Sequence, residues 1–124
     1  MTSTQPDYSS HGVPLASEII LALNALYIVS SALAQRGAYA QEIRDAQWRI
    51  MTQRVDEATW VLDQFKEMPE THALALLRRM AKICRDLLDR RAAHQDIPIA
   101  VWREVGRLGS DAYDCINTPP DQQR

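Results

Sequence analysis

The sequence predicts an all-α fold, a single-domain antiparallel (up-down-up-down) four-helix bundle. Apolar residues recur every three or four positions in four separate stretches, the period of helices with one buried face. Short breaks at Gly37, Met68-Pro69 and Asp96-Ile97-Pro98 part the stretches, and short links make sequential helices antiparallel neighbours. No stretch alternates apolar and polar residues with the period of a strand.

The first helix is expected to begin near Pro14, which suits a first turn, and to stop at Gly37. Within it Leu15–Ala34 is apolar in nearly every direction, with Glu18 as its one charge and a narrow polar stripe of Ser17, Asn24, Ser31 and Gln35. A bundle helix needs only about half its surface apolar. The excess predicts a partner, and it is placed on Ile20, Leu21, Ala25 and Ile28. The segment is long enough for a membrane span. Glu18 and Asn24 lie inside it, however, and it has neither a preceding Lys or Arg nor an aromatic belt, so a buried central helix is expected and no membrane.

The second helix is predicted over Ala38 to Lys66. Its seam is Trp48, Met51, Val55, Ala58, Leu62 and Phe65, spaced alternately by three and four as in knobs-into-holes packing. Trp60 falls off this seam and is a candidate interface anchor. The third runs from Pro69 to about His94. Ala73, Leu76, Leu77, Met80, Ile83, Cys84, Leu87 and Leu88 form its apolar face; Arg78, Arg79, Lys82, Arg85 and Arg90 stand on the other, with Lys82–Asp86 and Arg85–Asp89 spaced to pair. Asp96 is the expected N-cap of the fourth, whose seam is Val101, Val105, Leu108 and Ala112, with Trp102 and Ile116 beside it. Gly106 and Gly109 there predict either close helix approach or a kink at Gly109–Ser110. Trp48 and Trp102 are expected in the core. Residues 1–13 read as a flexible arm, 14–116 as the bundle and 117–124 as a flexible tail.

Length and composition suit one domain. The chain has 124 residues, 46% hydrophobic and 24% charged, with a net charge of −2, which does not describe a polycation that seeks nucleic acid. Cys84 and Cys115 form no metal-binding spacing. In a hairpin turning near Gln95, Cys84 lies opposite Arg107, some 12 Å along the axis from Cys115 at about 1.5 Å per residue, beyond disulfide reach. Free thiols and a cytoplasmic protein are therefore expected.

Catalytic constellations are sparse. Glu67-Met-Pro-Glu70 with Asp86-Leu-Leu-Asp89 loosely resembles the ExxE…ExxD arrangement of all-helical nucleotide pyrophosphohydrolases; the resemblance covers these four positions, has Pro69 inside the first pair and Asp at position 86, and implies carboxylates that hold magnesium. Arg90-Arg91-Ala-Ala-His94 resembles, at a shorter gap, the Arg…His pair of helical-bundle ribonucleases. No Glu-x-x-His pair of the di-iron type exists, and His11 and His72 join no triad. No catalytic, cofactor or metal residue is assigned and no enzyme is expected. The expected function is a non-catalytic helical protein-interaction module that self-associates as a homodimer or docks in a larger complex through the first helix. The alternative resembles, in size and class, the small helical subunits of RNA-guided complexes, and places nucleic-acid phosphates on the arginine-rich face of the third helix.

Overall fold

The computed structural model describes the backbone of residues 12–118 and the side chains from residue 17 onward. It is an all-α four-helix bundle: α1 (Gly12–Ala38), α2 (Asp45–Gln64), α3 (His72–Ala92) and α4 (Ile99–Ile116). Most of the expected arm and part of the tail lie outside the described residues. Gly12 and Val13 are already helical, and Asn117 is the C-cap of α4.

α1 packs on all three other helices, α4 most extensively, while the backbones of α2 and α4 stay apart. The section is thus a rhombus with α1 and α3 across its short diagonal. Neighbouring helices run antiparallel. Along α1 and α4, Gly37 lies against Trp102, Ser31 against Gly109 and Tyr27 against Tyr113. Along α2 and α3, Asp45 pairs with Arg91 and Asp56 with Arg85. The core joins Leu23, Leu26 and Leu33 of α1 to Met51 and Val55 of α2, Leu77, Met80 and Leu87 of α3, and Val105 and Leu108 of α4. Ser30 is fully buried, and its hydroxyl donates to the Tyr27 carbonyl at 3.3 Å, which offsets the cost of burying it. Ser17–Ala38 is long and apolar enough to cross a membrane; here 39% of its most apolar window is buried inside the bundle.

Three boundaries differ from those the sequence predicts. α2 starts at Asp45, seven residues later than expected, because α1 ends in a full Schellman turn: Gln41 N–H donates to the Arg36 carbonyl and Ala40 N–H to that of Gly37. The left-handed residue of this turn is Ala40 (φ 56°), not a glycine, so no sequence signal marks it. His94 (φ 56°) takes the same place after α3. α3 begins after Thr71, whose hydroxyl accepts from Leu74 N–H at 3.2 Å, rather than at Pro69. α4 is capped at Pro98, not Asp96, since the residue before a proline, here Ile97, is pushed out of the helical region.

Gly37 is not the stop it was expected to be. It is helical, and a Cβ added there would overlap the Trp102 indole. Gly109 is buried, with Ser31 Oγ 3.0 Å from the position of a Cβ, and α4 runs through it as one helix; close approach, not a kink, is its role. Gly106 meets nothing within 4 Å. Gly37→Ala is therefore expected to lower stability by about 2 kcal/mol through overpacking. Gly106→Ala is expected to raise it by nearly 1 kcal/mol through helix propensity. Urea midpoints of the two variants check this, and a destabilisation of equal size in both would contradict the assigned packing.

Candidate functional site

α1's outward face carries a seam of Leu21, Ala25, Ile28 and Ala32. Leu21 is 68% and Ile28 59% exposed, Ala32 is exposed and Ala25 half-buried. The cause is geometric. Gly37 must face Trp102, and at 100° per residue Ile28, nine positions back, points half a turn away from it. Leu21 lies two turns further back on the same line. The expected polar stripe is turned partly aside: Ser31 is half-buried against Gly109 and Asn24 is half-buried, while Ser17 and Gln35 remain exposed.

The five predicted interface residues do not form one surface. Leu21, Ala25 and Ile28 stand together. Ile20 is half-buried and packs on the core. Trp60 is 60% exposed on α2, one turn beyond Asp56, which pairs with Arg85; it belongs to the side of the bundle facing α3. Trp48 and Trp102 are buried, with ring centroids 6.5 Å apart, and the Arg91 guanidinium lies 5.2 Å from the Trp48 centroid.

The basic face of α3 is largely tied to carboxylates. Arg78 donates to Glu70 at 3.1 Å, Arg85 to Asp56 at 3.2 Å, Arg90 to Asp86 at 2.9 Å and Arg91 to Asp45 at 2.6 Å. The pairs expected at Lys82–Asp86 and Arg85–Asp89 are not formed, because Asp86 is held by Arg90 and Arg85 reaches across to α2. Arg79 lies near enough to Glu104 to help hold its carboxyl below the usual range, a shift caused first by the Arg107 hydrogen bond. Lys82 makes no ion pair among the described residues, and the exposed pairs contribute little stability individually.

The four carboxylates that resemble the pyrophosphohydrolase pattern are not assembled. Glu67 and Glu70 sit in the loop before α3, Glu70 is bonded to Arg78 and Asp86 to Arg90. No group of three or more His, Cys, Asp or Glu among the described residues is placed to hold a metal ion. His94 is exposed at the end of α3, three residues past Arg91, which is already bonded to Asp45.

A groove of about 560 Å³ runs between α1 and α4, a feature the sequence signalled only through its glycines. Tyr27 and Tyr113, with centroids 6.1 Å apart, line it together with Trp102, Gly106 and Gly109. Its polar groups are Ser31, Gln35, Arg103 and Ser110. It offers aromatic and hydrogen-bonding contacts but no carboxylate or imidazole for acid–base work.

Cys84 and Cys115 are buried and no disulfide joins them. Burial pushes the Cys84 thiol up to about 12 and raises that of Cys115 as well. Such thiols are poor nucleophiles and poor metal ligands. Because the folded chain holds the Cys84 proton more tightly than the unfolded chain, this contribution to stability is full below about pH 9 and is lost as pH rises toward 12. Stability is expected to fall by about 1 kcal/mol per pH unit in that window from this group. Urea titrations at pH 8 and pH 10.5 check it: Cys84→Ala should flatten the pH slope, and an unchanged slope would remove the assignment. No protein-family model, curated protein or solved structure matches this chain.

Proposed function

We propose that this protein is a non-catalytic helical interaction module that self-associates or docks a protein partner through the outward face of α1. The observation that carries this is the position of Leu21 and Ile28: α1, although it packs on all three other helices, leaves its two large outward residues 68% and 59% exposed, two turns apart on one line. Large aliphatic side chains so placed are desolvated efficiently at an interface centre. The four carboxylates of the pyrophosphohydrolase-like pattern stand apart, with Glu70 and Asp86 bonded to arginines, and so lend no support to that catalytic alternative.

Phosphate contact through α3 is the weaker alternative. Arg78, Arg85, Arg90 and Arg91 already serve carboxylates, and a phosphate must displace these before it binds. Gel retardation with DNA and RNA at low salt is expected to show no shift. A shift that Arg78, Arg79 and Arg85→Glu abolish, and that salt weakens steeply, would favour phosphate contact instead.

The docking face itself is tested by Leu21→Asp and Ile28→Asp. Both positions are exposed, so the thermal midpoint is expected to move by no more than a few degrees. Quantitative affinity capture with the wild-type chain and with each variant should show at least tenfold loss of the specifically bound protein, since a charge enters an interface unpaired. Equal capture by all three chains would overturn the proposal.

A further inference from the structure

We infer that the occupant of this face is a second copy of the same chain, with the two α1 helices packed antiparallel about a twofold axis between Leu26 and Tyr27; this rests on the docking face proposed above. The seam reads Glu18, Leu21, Ala25, Ile28, Ala32 and Gln35, spaced three, four, three, four and three, the spacing of a left-handed helix pair. All are exposed except half-buried Ala25.

Turned end for end about that axis, the seam maps onto itself. Leu21 falls against Ala32 of the second copy, Ala25 against Ile28, and Glu18 against Gln35. Each large apolar side chain meets an alanine, and the two polar residues meet at the ends, the complementarity an isologous twofold interface requires. A parallel pairing instead sets Leu21 on Leu21 and Ile28 on Ile28, leaves gaps at Ala25 and Ala32, and brings the two Glu18 carboxylates together.

Charge selects the same direction. Glu18 and Arg36 are the only charged residues of Ser17–Ala38, and they stand at its two ends. Glu18 is exposed and makes no ion pair among the described residues. The antiparallel copy brings it beside Arg36 of the second chain, whose guanidinium spends only one nitrogen on the Glu42 carbonyl, at 3.1 Å. The two helix dipoles then oppose each other as well. The rhombic section helps: the backbones of α2 and α4 stay apart on either side of α1 and leave its face shallow enough for a second helix.

The seam has only two large side chains per copy, less than the ~800 Å² per partner of a standard interface, so association is expected to be weak and concentration-dependent. Light scattering of the wild-type chain at roughly 0.3 mM, about the range a small interface requires, is expected to give a mass approaching twice 14.1 kDa that falls on dilution. Under mild oxidation, a mixture of Leu21→Cys and Ala32→Cys chains should form the mixed disulfide. Neither variant alone should cross-link, since like positions then lie about 16 Å apart at 1.5 Å per residue. The wild-type chain, with both thiols buried, is the blank. Ala32→Arg, at an exposed position, should leave the fold intact and give a monomer.

A strict monomer at high concentration overturns the second copy as occupant, and leaves the docking face to be judged by capture with Ile28→Asp. Self-cross-linking of Leu21→Cys overturns the antiparallel register alone. A dimer that persists unchanged in both Ile28→Asp and Ala32→Arg uses another surface and overturns this inference, while unchanged capture by Ile28→Asp overturns the docking face itself.

Discussion

Trp102 of α4 lies across the backbone of α1 at Gly37, and the rest of the bundle is arranged around that contact. The indole fills the space a side chain at Gly37 would need, so α1 and α4 approach closely at this end. Trp48 of α2 packs beside it at 6.5 Å, and Arg91 of α3 covers Trp48 while holding Asp45 at the start of α2. All four helices thus meet in one cluster of two rings, one glycine and one guanidinium. A second close approach, Gly109 against Ser31 and Tyr27, lies about two turns further along the α1–α4 pair. Two points determine both the axial register and the rotation of α1.

That rotation decides which part of an almost uniformly apolar helix meets solvent. Hydrophobic burial alone does not choose among Leu15–Ala34, because nearly every direction of the cylinder offers comparable apolar area. Backbone contact does choose: only Gly37 accommodates Trp102, and Ile28 and Leu21 are carried outward as a result. The sacrifice of some polar exposure follows from the same constraint, with Ser31 half-buried against Gly109 of α4. An exposed apolar seam here is a geometric consequence of the α1–α4 joint.

Four helices, their apolar seams and the core placement of Trp48 and Trp102 were legible from period alone, since each seam uses residues three and four apart. Boundaries were legible only to within a few residues: the break at Met68-Pro69 was visible, but the Thr71 hydroxyl cap just beyond it was not singled out, and nothing marked Ala40 and His94, where the turn imposes a left-handed backbone on residues that do not advertise it. Gly37 was visible as a break, but its meaning depended on a partner 65 positions away in the chain. The candidate face was legible in part: an apolar excess on α1 is a sequence property, whereas separating Ile20 from Leu21 needs the rotation. Ion pairing on α3 was misread for a similar reason. Local i,i+4 spacing suggested Arg85–Asp89, while the observed partner Asp56 comes from a different helix.

The order of the helices along the chain has a consequence for biogenesis. α1 is translated first, and α4, the neighbour that covers it most extensively, is translated last. At a synthesis rate of roughly 5–20 residues per second, the most apolar segment of the protein spends several seconds without its principal cover. During that interval it presents to the cell what a nascent hydrophobic anchor presents, a long apolar helix with a single acidic residue near its start. Folding of this bundle is therefore a race in which α2 and α3 must shield α1 until Trp102 arrives to seat on Gly37.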